Sequence, residues 1–194
     1  MKRKIKKICA VFVIIVLLPY IITIFMNGKS IEANQDGKNG YIKVKTKSGT
    51  KEVPLKEYCI GTLAKEISVD FEEEALKAQA VASRTYAIRG ANGNKNFDYT
   101  KLKQNYTSVD KMKKMWGKSF DENYKKISQC VNATQGEILE YNNEPILAVF
   151  CSTSNGETEN CKDVWGQDLQ YLTSVESKGD KYSPYYNGSV TVSA

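Results

Sequence analysis

The sequence predicts an α+β domain, helices mixed with antiparallel sheet, carried behind a single-pass N-terminal transmembrane helix. Three features lead there. A 19-residue uncharged run, Ile8–Met26, follows a strongly basic start. A helix rich in small residues follows Asp70. Short alternating segments at 41–53 and 136–150 read as strand pairs bounded by turn residues.

Residues 1–7 (MKRKIKK) hold five basic side chains and no acidic one, so they are expected to stay in the cytoplasm. The run 8–26 would span roughly 28 Å as a helix, about the thickness of a bilayer's hydrocarbon core. No convincing small-x-small cleavage site follows it, so a signal anchor is expected and not a cleaved leader. Residues 27–40, rich in Gly, Asn, Lys and Asp, read as a solvated linker. An extracytoplasmic domain then occupies 41–194.

Within it, YIKVKTK (41–47) alternates as a strand, Ser48-Gly49-Thr50 turns, and Lys51–Val53 returns. Pro54 suits the opening of a helix whose apolar stripe is Leu55, Cys59, Leu63 and Ile67, joined by Ile60 and Ala64. Asp70 is the expected N-cap of the next helix, with Glu73 in a capping-box relation and Gly90 as its stop. Its alanines allow another backbone to approach closely. Residues 90–107 read as a long polar loop carrying Phe97, Tyr99 and Tyr106, and 108–134 as helix interrupted near Gly117. Gly136–Tyr141 and Pro145–Phe150 are expected to pair across Asn142-Asn143, because asparagine tolerates the positive φ of a tight turn. The second strand delivers the polar loop Cys151–Gly156. The closing GSVTVSA reads as a strand in mid-sheet, so the domain is expected to be incomplete at its C-terminus.

Composition narrows the function. The net charge is +6, but residues 8–194 carry 23 basic against 22 acidic side chains. A nucleic-acid binder needs its positive charge on the folded body, so that class is set aside. The sequence has no histidine, which removes Ser-His-Asp and Cys-His nucleophile systems and the HExxH metalloproteases. Catalysis, if present, falls to carboxylates, hydroxyls, Lys, Arg or Cys.

The five cysteines divide by setting. Cys9 lies at the start of the apolar run, which does not suit lipid attachment. Cys59 and Cys130 fall in helical apolar patterns as buried thiols. Cys151 and Cys161 flank a polar loop and leave three fates open: a disulfide, a pair of metal ligands, or two free thiols.

Without histidine, one fitting chemistry is carboxyl acid/base work on a sugar, which needs a protonated carboxyl near the glycosidic oxygen. Glu66 is the candidate, since it precedes a helix break and neighbours Leu63 and Ile67. A glutamate at a helix end is ordinarily just solvated.

The residues also carry a resemblance. EYCIGTLAKEISVDFEEEALKAQAVASRTYAI, followed by GEILEYNNEPILAVFCSTSNGETENCKDVWGQDLQYLTSV, closely resembles the stage II sporulation protein D family over about residues 40–186. These are membrane-anchored lytic transglycosylases of endospore-forming bacteria, related to amidase-enhancer proteins. The resemblance implies cleavage of denuded peptidoglycan strands between N-acetylmuramic acid and N-acetylglucosamine, with a 1,6-anhydro product, during forespore engulfment. It implies a mother-cell membrane location facing the forespore. The implied partners are the amidase stage II sporulation protein P and its membrane scaffold. The family's catalytic glutamate aligns with Glu66, although Ile67-Ser68 replaces the usual Met-Pro. Lys77 and Arg84, seven apart on one helix, would hold that glutamate or the sugar's lactyl carboxylate, with pairing to Glu73 or Glu74 as the structural alternative. Gln79 on a neighbouring face, and Ser152, Ser154, Asn155 and Thr158 in the polar loop, would contact the glycan. Trp165 or a tyrosine would offer a stacking face. Some relatives hold a metal near the STS loop through His or Cys; here zinc near Cys151 is not favoured, and no cofactor is expected. The rival reading is a non-catalytic glycan-binding amidase enhancer of the same fold.

Overall fold

The structure, a computed structural model, describes residues 41–46, 49–91, 102 and 104–186. The expected transmembrane run 8–26, the linker 27–40, the first turn at 47–48, most of the 90–103 loop and the C-terminal GSVTVSA lie outside the described residues. Among those described, no helix is long and apolar enough to cross a membrane.

The first strand pair forms as expected: β1 (Tyr41–Thr46) runs antiparallel to β2 (Gly49–Pro54), with Tyr41 opposite Pro54 and Thr46 opposite Gly49. Helix α1 (Leu55–Glu66) begins directly after Pro54, whose fixed φ and missing N–H suit that entry. Helix α2 spans Glu73–Ala91, α3 Val109–Trp116 and α4 Phe120–Ala133. Gly117, at a φ of +53°, ends α3 and opens one 3₁₀ turn before α4, so the interruption falls where the glycine is.

Four helices meet in one core. Cys59, Ile60, Leu63 and Ala64 of α1 pack with Ala80 of α2, Met112 of α3, and Ile127 and Val131 of α4. Leu63, Ala80 and Ile127 are wholly buried, each large apolar side chain contributing roughly 1.5–3 kcal/mol by leaving water. Ala80 is the small residue that lets α2 lie close to its neighbours. A smaller cluster joins Val53, Tyr58 and Ala87 with Leu55, Leu102 and Tyr106.

Two helix boundaries differ from expectation. Asp70 does not cap α2, which starts at Glu73; Ser68 Oγ donates to Asp70 Oδ2 at 3.0 Å instead. The turn so formed is tied to α4, because Lys126 Nζ donates to the carbonyls of Val69 and Phe71, each at 2.8 Å. Gly90 does not stop α2 either. A Cβ there would lie 2.4 Å from Leu102 Cδ2, so the residue serves close packing and the helix runs one residue on.

The second hairpin is shorter than its sequence pattern: β3 is Glu140–Tyr141 and β4 Glu144–Pro145. Asn142 and Asn143 take φ values of +52° and +62°, the two positive values that a type I′ turn requires. Ile146 N–H donates to Leu139 O at 3.0 Å, and regular pairing stops there. Beyond it, α5 (Cys161–Trp165) sits in a loop lobe where residues 156–161 run back along 172–177.

Candidate functional site

Glu66 is the last residue of α1 and lines an open cleft of about 250 Å³. The other lining residues are Tyr86 of α2, Gln104 and Asn105, and Ala148, Val149 and Phe150 beyond the second hairpin. Three remote chain segments therefore meet at one carboxylate. Asn105 N–H donates to Glu66 Oε1 at 2.9 Å. Oε2 has no hydrogen-bond partner among the described residues. Glu66 is the only carboxyl group among the cleft's lining residues.

The remaining lining groups differ in what they have left to offer. Gln104 is engaged at both ends: Tyr58 Oη donates to its Oε1 at 2.9 Å, and its Nε2 donates to Ser83 O at 3.3 Å. The Tyr86 hydroxyl and the Asn105 side-chain amide make no hydrogen bond among the described residues, so both remain open to a ligand. Val149 and Phe150 are exposed apolar surface beside them. A carboxyl, a phenol, an amide and an apolar wall together suit a sugar ring, which presents hydroxyls at its edge and C–H groups on its faces.

The other residues nominated from sequence are not in this cleft. Lys77 pairs with Glu74 at 2.6 Å, and that hydrogen bond raises its pKa above the ordinary value. The structural alternative weighed for Lys77 is therefore the contact observed. Arg84 pairs with neither Glu73 nor Glu74: it is buried, and donates to Glu137 O at 2.9 Å, Val131 O at 3.2 Å and Thr134 Oγ1 at 3.3 Å. Gln79 Nε2 donates to Ser83 Oγ at 3.3 Å.

The polar loop forms its own network. Asp180 accepts from Ser154 N–H at 2.7 Å and from Ser154 Oγ, which holds the Asp180 carboxyl below its usual range. Tyr186 Oη donates to Asn155 O at 3.2 Å. Thr158 N–H donates to Val175 O at 2.9 Å, and Thr158 Oγ1 accepts from Val175 N–H at 3.0 Å. Ser152 is exposed, two residues beyond Phe150. Trp165 is 53% exposed at the end of α5, and so available as a stacking face.

Cys59, Cys130 and Cys161 are buried free thiols and Cys151 is an exposed one. No three Cys, Asp or Glu side chains converge among the described residues.

Sequence reasoning missed Tyr86, Gln104, Asn105, Val149 and Phe150. Tyr86 stood inside the helix already singled out. The other four lay in segments whose position across the fold no local pattern reports.

Comparison with known proteins gives a consistent picture. The family model SpoIID, described as a stage II sporulation protein, matches residues 43–141. Stage II sporulation protein D of Bacillus subtilis (strain 168) is 45% identical over 150 residues, covering 73% of this chain and 44% of that protein. Its counterpart from Bacillus amyloliquefaciens is 46% identical over 149 residues, covering 73% and 43%. A protein named amidase enhancer from Bacillus subtilis (strain 168) is 31% identical over 133 residues, covering 69% of this chain and 16% of its own length. The matched stretch thus spans less than half the length of the two sporulation relatives.

Proposed function

The chain belongs to the stage II sporulation protein D family, and from that premise we propose that it is a peptidoglycan lytic transglycosylase with Glu66 as its acid and base. One observation carries this reading: Glu66 is the single carboxyl among the described residues that line the cleft. Hydrolytic glycosidases ordinarily need two carboxylates, one of them to act as nucleophile or to activate water. A lytic cleavage needs one. The carboxyl protonates the oxygen between N-acetylmuramic acid and N-acetylglucosamine, and that bond breaks. The muramic 6-hydroxyl then bonds to its own anomeric carbon, and its proton returns to the same carboxylate. The product carries a 1,6-anhydro ring and no water is consumed.

The surrounding residues support those roles. Asn105 N–H occupies Oε1. The proton-carrying oxygen in this reading is Oε2, which has no partner among the described residues. Val149 and Phe150 give the sugar face an apolar wall. Ser152, Ser154, Asn155 and Thr158 contact more distant parts of the strand, with Lys77 and Gln79 on α2 as further contacts. Arg84 acts from below, by fixing the segment after α4. The apolar run 8–26 anchors the chain in the mother-cell membrane, with the domain facing the forespore. The strand it cuts has been stripped of stem peptides by the amidase stage II sporulation protein P, held on a shared membrane scaffold.

Similarity to an amidase enhancer favours a second reading, a glycan-binding module without turnover. The full-length chain, solubilised in detergent and given amidase-treated glycan strands, separates the two when products are read by mass spectrometry. Anhydro-muramic ends from the wild type, falling roughly 10²–10⁴-fold in Glu66→Gln, support the transglycosylase. Strand binding by both proteins with anhydro ends from neither supports the module.

A further inference from the structure

Residues 104–107 lie across α1 and α2 and are fixed at every position. Gln104 bridges Tyr58 Oη and Ser83 O, at 2.9 and 3.3 Å. Asn105 N–H reaches Glu66 Oε1 at 2.9 Å. The Tyr106 ring stacks on Tyr58, with centroids 5.7 Å apart and planes within 5° of parallel. Thr107 N–H donates to Gly61 O at 3.1 Å, inside helix α1.

That last approach is close enough to need a glycine. A Cβ on residue 61 would lie 2.4 Å from Tyr106 Cε2 and 2.5 Å from Thr107 O. The segment is also held at its exit, because Ser108 accepts from Lys111 N–H as the N-cap of α3. Gln104, Tyr106 and Thr107 thus spend their contacts on the scaffold, while Asn105 between them holds the carboxyl.

We infer that the Gln104–Thr107 segment is the positioning element of Glu66, with Tyr106 as its anchor and the glycine at 61 as its seat. A carboxyl at a helix terminus turns freely about its side-chain torsions. One backbone N–H, held by the contacts of its neighbours, occupies Oε1 and so selects the orientation in which Oε2 is left without a partner among the described residues. Productive proton transfer tolerates little misplacement, so an acid released from Asn105 would still sit in the cleft and still let a strand bind, yet turn over slowly. The inference rests on Glu66 being the reacting carboxyl. Tyr106 touches no substrate in this account and is a positioning residue.

The test uses the full-length chain in detergent, with two readouts. The first is the amide proton resonance of Asn105 in NMR spectra taken across the acid range. It should move with pH in the wild type and in Tyr106→Phe, which keeps the ring. It should lose that movement in Glu66→Gln, and at least half of it in Tyr106→Ala. A full pH-dependent shift retained in Tyr106→Ala would overturn the inference, whatever the activity. The second readout is turnover and strand affinity on amidase-treated glycan. Tyr106→Ala should lower kcat tenfold or more while strand affinity stays within twofold, and Tyr106→Phe should match the wild type. Equal losses of affinity and kcat would make the segment a substrate-binding surface and overturn its positioning role. If the wild type shows the Asn105 shift and yields no anhydro ends, the transglycosylase reading falls while the contact with Glu66 stands.

Discussion

Arg84 caps Val131: from the middle of α2 its Nη2 donates at 3.2 Å to a carbonyl in the last turn of α4, where the helix leaves its carbonyls unpaired. The same guanidinium holds Glu137 O at 2.9 Å and Thr134 Oγ1 at 3.3 Å, so one buried cation fixes the turn that leads into the second hairpin. A cation at a helix C-terminus is also favoured by the helix dipole. Arg84→Met should destabilise by about 2–4 kcal/mol, because three acceptors lose a charged donor. In a chain of this size that is a fall of roughly 5–15 °C in Tm, readable by circular dichroism. Arg84→Lys should recover part of it, since an ammonium reaches fewer of the three. Unchanged Tm alongside lost strand affinity would return Arg84 to the sugar.

Two helix glycines should respond oppositely to alanine. In open helix, Gly→Ala gains about 1 kcal/mol. At Gly61 the added carbon would meet the Tyr106 ring and the Thr107 backbone oxygen, and backbone cannot swing aside. Gly61→Ala should therefore destabilise by about 1–3 kcal/mol despite the gain in propensity. At Gly90 the obstacle is the end of the Leu102 side chain, which can change rotamer. Gly90→Ala should fall within about 1 kcal/mol of neutral. Thermal midpoints of the two variants decide it, and an equal response at both sites would refute the steric argument.

The same residues mark what sequence can report. Leu55, Cys59 and Leu63 repeat along one helix, so the burial of Cys59 and Leu63 was legible, as was the Asn-Asn turn. Ile67, expected in the same stripe, falls just past the helix end and is half-buried. Arg84 and Lys77 do share a helical period. Period says nothing of what lies opposite, and Arg84 meets the end of α4 while Lys77 meets Glu74. Asp70 satisfied a capping pattern, yet Ser68 and Lys126 organise that turn, the latter from 55 residues away. The cleft illustrates the limit best: Glu66 could be nominated locally, whereas Asn105, 39 residues distant, becomes its partner only through tertiary packing.

The Cys59 thiol should give stability a dependence on alkaline pH. Burial pushes its pKa from 9.0 up to about 11, with the nearby Arg84 guanidinium opposing the rise. The folded state thus favours the neutral thiol. Its contribution is complete below the unfolded pKa near 9 and is lost as pH climbs through 11. Between those values the wild type should lose stability more steeply than Cys59→Ala, whose cavity lowers Tm by a similar amount at every pH. Parallel Tm curves from pH 8 to 11 would contradict the buried-thiol account. Alkylation at pH 8 offers a second check: exposed Cys151 should react in the native protein, and Cys59 only after unfolding.

Asp180 should govern the order of the polar loop. It accepts both the N–H and the hydroxyl of Ser154, and those bonds, the hydroxyl's first, hold its pKa below the ordinary 3.8. Ser154 Oγ in turn accepts from Gly156 N–H at 3.3 Å, so one carboxylate sets the path of three residues. Because the folded pKa is depressed, the contribution is present above the unfolded value. It disappears as pH falls through the folded one. Global stability should change little in Asp180→Ala, since the pair lies near the surface. The local effect should be larger, with the Ser154 and Gly156 amides exchanging hydrogen about tenfold faster or more at neutral pH. Asp180→Asn, which keeps an acceptor oxygen, should fall between. If glycan contacts this loop, Asp180→Ala should also weaken strand binding without touching kcat, because the loop and Glu66 then contribute separately. Unaltered exchange in Asp180→Ala would show that the loop is held by its other bonds, Thr153 with Ser183 and Tyr186 with Asn155.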